Sequence, residues 1–189
     1  MDDIDRRIIS QLQINGRTTL EDLAKVSGLT SMGVSKRFQK LLNRGAIKVS
    51  ALINPFSLGL HPAIVMLEME SSDAMESLLM RFRECPRVVN IFKTLGGYNL
   101  IALVIAEDQD TLESISVEKC SLRSGEGIRR SEFYPIGDTY FSPFLLVREH
   151  LTHQGKSTSP CGVDCRPCNR YVSNKCVGCP ATDHYRGTL

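Results

Sequence analysis

Cys161, Cys165, Cys168, Cys176 and Cys179 follow the pattern Cys-x3-Cys-x2-Cys-x7-Cys-x2-Cys, so five of the chain's seven cysteines fall within nineteen residues. Thiolates are soft ligands, and two Cys-x-x-Cys pairs across a short loop can offer four of them to one tetrahedral ion. Pro167, Gly178 and Pro180 suit the turns that such knuckles need. Zinc is the first candidate, with Cys165, Cys168, Cys176 and Cys179 as ligands. Cys161 is then spare or replaces Cys165, and His184 is an alternative ligand. An iron–sulfur cluster, which also takes four thiolates, is the second candidate. A redox switch that pairs the thiols as disulfides is the third. Cys85 and Cys120 read as small core side chains.

The second set of chemically suggestive residues lies between Leu29 and Ile47. Five basic residues (Lys36, Arg37, Lys40, Arg44, Lys48) and no acid fall between Thr30 and Ser50. Val34, Phe38, Leu41 and Leu42 repeat at i, i+4, i+7 and i+8, the spacing of one buried helical face. At about 100° per residue, Met32, Lys36, Gln39, Lys40 and Asn43 then project from the opposite face, with Arg37 on the flank. Thr30 suits the N-cap and Gly45 the left-handed stop. Cations hold phosphates, while Ser, Gln and Asn can read base edges, so this helix suits a polyanion groove. Lys36, Arg37, Gln39 and Lys40 are the expected DNA contacts, with Ser31 and Ser35 near the helix start. Arg17, Arg44 and Lys48 are expected to touch phosphates. Two helices must position this one. Ile4, Ile8, Ile9 and Leu12 mark the first. Leu20 to Val26 is the second, capped by Thr18 or Thr19, with Leu20, Leu23 and Ala24 inward. Ser27-Gly28 is the turn of a helix-turn-helix.

The order Asp5, Ile8-Ile9, Leu12, Gly16-Arg17, Leu23-Ala24, Gly28-Leu29-Thr30, Val34, Arg37, Leu41, Gly45-Ala46-Ile47 resembles the N-terminal half of the Lrp/AsnC family, the feast/famine regulators. Ile47 to Pro55, with Leu58-Gly59, resembles that family's linking strand. The likeness runs from about Met1 to about Arg148. It implies a transcription regulator that binds double-stranded DNA, acts as a homodimer or an octamer, and answers to an amino-acid-like effector.

Beyond the linking segment the periodicity changes. His61 to Ser71 alternates as a strand. Asp73 to Phe82 places Met75, Leu78, Leu79 and Phe82 on one helical face, capped by Ser72 or Asp73. Val88–Leu95 and Tyr98–Glu107 read as a hairpin about Gly96-Gly97. Asp110–Leu122 is a weaker helix with Leu112, Ile115 and Cys120 inward, and Gly127–Phe141 a last strand. The order β-α-β-β-α-β is the ferredoxin-like split unit, an α+β fold. Helices cover one sheet face, so the other should pair with a second sheet in a dimer. In the Lrp/AsnC family this unit is the RAM domain, whose effector loop usually reads Gly-x-Tyr/Trp-Asp. Here the loop is Gly96-Gly97-Tyr98-Asn99. The resemblance assigns these four residues to the effector, with Asn99 lacking the charge that would hold an ammonium group.

These readings divide the chain into a helix-turn-helix domain (1–50), a linking segment (51–60), a ferredoxin-like domain (61–148), a linker (149–160) and a cysteine-rich tail (161–189). Phe144 to His153 could form a short helix, and Gln154 to Pro160 is polar. The tail holds too few apolar residues for a core of its own, so if it folds independently a metal must supply most of its stability. Composition is that of a soluble globular protein, 42% hydrophobic and 23% charged. Acids follow Met1 directly and no long apolar run exists, so neither a signal sequence nor a membrane partner is expected, and the chain is placed in the cytoplasm. Charge is unevenly spread: residues 1–60 carry net +4, residues 61–149 net −5 and residues 150–189 net +3. The basic excess falls where nucleic acid is expected to bind. No nucleophile motif, phosphate loop or distinctive carboxylate pair is present, so an enzyme is not expected. The alternative is a metal- or redox-sensing adaptor, or a small cysteine-centre enzyme on the ferredoxin-like domain.

Overall fold

Asp2 starts the first helix, α1 (Asp3–Ile14): its carboxylate accepts from the Asp5 amide, and the Asp5 carboxylate accepts from the Asp2 amide. This reciprocal box satisfies two amides that have no partner within the helix. The computed structural model describes residues 1–189 and separates into two units, Met1–Ala51 and Leu52–Leu189. In the first unit Thr19 caps α2 (Leu20–Ser27), which Gly28 ends with φ 72°. Thr30 caps α3 (Ser31–Asn43) through the Gly33 amide at 3.2 Å. Ile8, Leu23 and Val34, one from each helix, form the core, flanked by Ile4, Leu12, Ala24 and Leu29. Leu20, expected inward, is 40% exposed, because as the first residue after the cap it points away from the α1 and α3 contacts. The segment resembling a linking strand forms no strand in this chain. Its single ladder contact is an antiparallel bridge between Ile53 and Leu145, since most of the segment has no backbone to pair with.

The second unit is built on β1 (His61–Met69), β2 (Val88–Lys93), β3 (Leu100–Ala106) and β4 (Ile128–Pro135). They form one antiparallel sheet of order β2-β3-β1-β4. The helices α4 (Ser72–Phe82) and α5 (Gln109–Val117) cross one face. Ala63, Val65, Leu67 and Met69 of β1 point to those helices and pack with Leu78, Phe82, Leu112 and Ile115. The β-α-β-β-α-β order is the expected one, with shorter elements. Ser71 caps α4 in place of Ser72 or Asp73, because it alone has extended backbone and faces the Ala74 amide. α5 stops at Val117, so Cys120 lies in the turn that follows. Residues 144–153 form only a three-residue 3₁₀ turn, Glu149–Leu151.

The tail does not stand apart. The polar segment read as a linker buries Thr152 and Ser159. Lys156 pairs with Glu84 at 2.9 Å, and the short helix α6 (Asn169–Val172) lies near α5. Arg170 donates to the Ser114 hydroxyl (2.5 Å) and the Asp110 carbonyl (2.8 Å), and that hydroxyl donates to the Lys175 carbonyl (2.9 Å). Leu189 is buried with Leu60, Ile105 and Val147 behind the sheet. The cysteine-rich segment borrows the core of the ferredoxin-like domain, which resolves its shortage of apolar residues.

Candidate functional site

On α3 the side chains divide as the helical period requires. Val34 and Leu41 are buried, while Ser31, Lys36, Gln39, Lys40, Asn43 and Arg44 are exposed and Ser35 is half-buried. Ser35, Lys36, Gln39, Lys40, Asn43 and Arg44 line one shallow groove along the helix. Arg17 and Lys48 are also exposed. Arg37, expected on the flank as a DNA contact, is half-buried and ion-paired. Its guanidinium bonds the Asp2 carboxylate at 2.6 Å and the Asp5 carboxylate at 2.9 Å, which ties α3 to the start of α1. The Asp2 and Asp5 hydrogen bonds raise its pKa, and the Asp5 amide followed by Arg37 holds the Asp2 carboxyl below its usual value.

The loop 94–99 joins β2 to β3 and is longer than a two-residue turn, with the Thr94 amide donating to the Asn99 carbonyl at 3.0 Å. Asn99, assigned to the effector by resemblance, is spent elsewhere. Its amide donates to the Met69 carbonyl (2.9 Å) and its oxygen accepts from the Met69 amide (2.8 Å). This double bond to one residue finishes β1 as another backbone would. Gly96 and Gly97 are exposed. Tyr98 donates its hydroxyl to Glu132 and lies under the Arg130 guanidinium, 4.3 Å from the ring centroid. Tyr134 donates to the same carboxylate. These two hydroxyls hold Glu132 below the usual carboxylate range, and its acceptance raises both phenols. The sequence reading passed over Arg130, Glu132 and Tyr134. The two-residue period of β4 was their only signal, and it becomes informative once the register puts Glu132 opposite Met66 on the helix-free face.

Four of the five tail cysteines meet the two domain cysteines. Cys85, Cys120, Cys161, Cys165, Cys176 and Cys179 line one cavity of about 40 Å³, with Arg87 in its wall. Cys168 is absent from that wall and lines a neighbouring groove with Cys120, Cys165, Cys176, Pro167 and Asn169. All seven are free thiols. No three Cys, His, Asp or Glu side chains converge at the range of a single ion. Cys85 packs against the domain core as expected, and both it and Cys120 also line this cavity. Burial pushes Cys165 up to about 11 and Cys179 up to about 12, and it raises Cys85 and Cys120 as well. Backbone amides at Cys179 and Ala181 offset part of this rise for Cys165 and Cys179 respectively. Arg87, 7% exposed, pairs at 2.8 Å with Glu107, 3% exposed. It also donates to the Gly178 carbonyl at 2.5 Å, inside the second Cys-x-x-Cys turn. Arg148 donates to the carbonyls of Val88 (2.6 Å), Arg83 (2.7 Å) and Cys85. His184 turns Nδ1 to Asp183 and stacks edge-on to Tyr171, outside the cavity wall. Of the tail's basic residues, Arg166 pairs with Asp164 and Arg170 with Glu113.

Comparison with known proteins bears on the first two sites. Residues 1–42 match the AsnC-type helix-turn-helix domain, and residues 62–142 match the Lrp/AsnC ligand binding domain. The HTH-type transcriptional regulator FL11 of Pyrococcus abyssi is 30% identical over 118 residues, 60% of this chain and 76% of that protein. Among solved structures, the leucine response regulatory protein LrpA of Mycobacterium tuberculosis superposes with a TM-score of 0.65 at 27% identity, over 76% of this chain and 97% of that one. A Neisseria meningitidis transcriptional regulator solved as a complex with L-Met has a TM-score of 0.67 at 22% identity, over 75% of this chain and 93% of that one. The two family matches reach no further than residue 142 and so leave out the cysteine-rich tail. The chain belongs to the Lrp/AsnC family of helix-turn-helix transcriptional regulators.

Proposed function

We propose that this regulator reads double-stranded DNA through the exposed face of α3, with Ser31, Ser35, Lys36, Gln39 and Lys40 at base edges or phosphates and Arg17, Arg44 and Lys48 on the backbone. The observation that carries this reading is the acid-free groove along α3, together with the withdrawal of Arg37 into ion pairs with Asp2 and Asp5. Arg37 then orients the helix and leaves base reading to its neighbours. A homodimer would set two such helices into successive major grooves. The helix-free face of the sheet supports this assembly. Ile64, Met66, Ile101 and Leu103 lie there half-buried, and Phe92 and Tyr134 are 51% and 49% exposed. A second sheet would cover them, and further association of dimers would give the octamer that the family suggests. Replacing Lys36 and Lys40 by Glu should weaken operator binding roughly a hundredfold, with two contacts each worth about 1–3 kcal/mol. Fluorescence anisotropy at fixed salt reads this, with helicity unchanged. Retained affinity would move the DNA site off α3.

The effector reading shifts from Asn99 to β4. A free amino acid needs an anion for its ammonium and a cation for its carboxylate. Glu132 and Arg130 stand two residues apart on that strand, beside Tyr98. Titration calorimetry with a panel of L-amino acids should find a ligand whose binding is lost in Arg130→Ala and kept in Asn99→Ala variants that remain folded. The opposite pattern would return the site to the loop amide.

A further inference from the structure

The six-cysteine cavity joins two parts of the chain that are distant in sequence: the matched ligand-binding region, which holds Cys85 and Cys120, and the tail beyond it. Cys85 follows α4 and Cys120 follows α5, while the other four come from the tail. We propose that this cavity holds an iron–sulfur cluster, ligated by Cys161, Cys165, Cys176 and Cys179 and closed on the domain side by Cys85 and Cys120.

Three observations support a cluster over the single zinc ion that the spacing first suggests. In a tetrathiolate zinc site the sulfurs ride directly on the ion at about 2.3 Å, which leaves no room at the centre. Here six cysteines line one cavity of about 40 Å³. A water-sized void needs only about 10–15 Å³ on this measure, so the space exceeds what a lone ion or one water would use. The second observation is electrostatic. Four thiolates around an iron–sulfur core leave a net negative charge, and a buried anion must have cations or hydrogen-bond donors around it. Arg87, its charge matched by Glu107, supplies a hydrogen bond to the Gly178 carbonyl between Cys176 and Cys179. Arg148 donates to three carbonyls, that of Cys85 among them, and forms no ion pair with a carboxylate. Third, the cavity excludes Cys168. It lines a neighbouring groove that shares Cys120, Cys165 and Cys176 with the cavity, so the cluster uses the four tail cysteines in the cavity wall. Each ligand thiol loses its proton as it binds iron.

The test uses the full chain, purified anaerobically and reconstituted with ferrous and ferric iron and sulfide. Iron and acid-labile sulfide should bind in near-equal amounts, with a broad absorbance near the blue end of the visible spectrum and a Mössbauer doublet of a cluster. Cys165→Ser and Cys179→Ser should each lose most of the iron, and Cys168→Ser should keep it. The wild-type stoichiometry does not depend on how the variants fold. One zinc per chain with no bound sulfide after reconstitution in the presence of both metals would overturn the proposal, as would disulfides among the tail cysteines in protein purified without oxygen. Loss of iron in Cys168→Ser alone would overturn the ligand assignment.

Discussion

The three-helix unit and the cysteine tail are both small, and they reach order by opposite routes. Residues 1–51 carry their own instructions: a cap at each helix start, glycine where α2 must end, and one large apolar side chain per helix meeting at Ile8, Leu23 and Val34. Residues 161–189 carry almost none. Their buried cluster is Cys165, Tyr171, Cys179 and Ala181, and the rest of their order comes from Ser114, Thr111, Arg87 and Glu107 of the neighbouring domain. A segment with a binary pattern can be repacked by local change, whereas a segment held by docking depends on a few buried polar partners. The first kind fails gradually and the second at single residues.

The largest expected effect is on the docked segment. Arg87→Ala leaves Glu107 buried without its partner and strips the Gly178 carbonyl of its donor, a loss of about 3–5 kcal/mol. Denaturant unfolding of the second unit should move accordingly while α1–α3 hold, and hydrogen exchange should rise in residues 161–189. Equal loss of protection in both units would break the contrast. Next comes Leu23→Ala, which empties the meeting point of three helices at a cost of about 2–5 kcal/mol. It should abolish DNA binding and leave the thiol accessibility of the tail unchanged; a rise in tail thiol reactivity would mean that the units are coupled. The smallest is Thr30→Ala. It removes the hydroxyl that holds the Gly33 amide and should lower the stability of the first unit by about 1 kcal/mol, read as a shift in its thermal midpoint.

Much of the fold was legible in the residues. The period changes from 3.6 to 2 at His61, and the order of strands and helices follows from patterns that repeat within ten residues. Element ends were less so. Ser71 rather than Ser72 caps α4, and Leu20 faces out, because a cap or a first-turn position depends on backbone angles that periodicity does not encode. The α3 face was legible for the same reason as its helix: exposure on a surface helix is set by position in the turn. Arg37 was not, since its partners Asp2 and Asp5 lie in another helix more than thirty residues away.

By itself the sequence determined the family, the order of elements, the acid-free reader helix and the presence of a thiol cluster, because each rests on residue type and near spacing. Only the tertiary structure decided how those residues are used. It spent Asn99 on finishing β1 and placed Arg130 and Glu132 beside Tyr98. It brought Cys85 and Cys120 to the tail's thiols and left Cys168 outside. The physical reason is common to all of these. A buried polar or sulfur group takes its role from whatever stands across from it, and strand register and docking bring those neighbours from far along the chain.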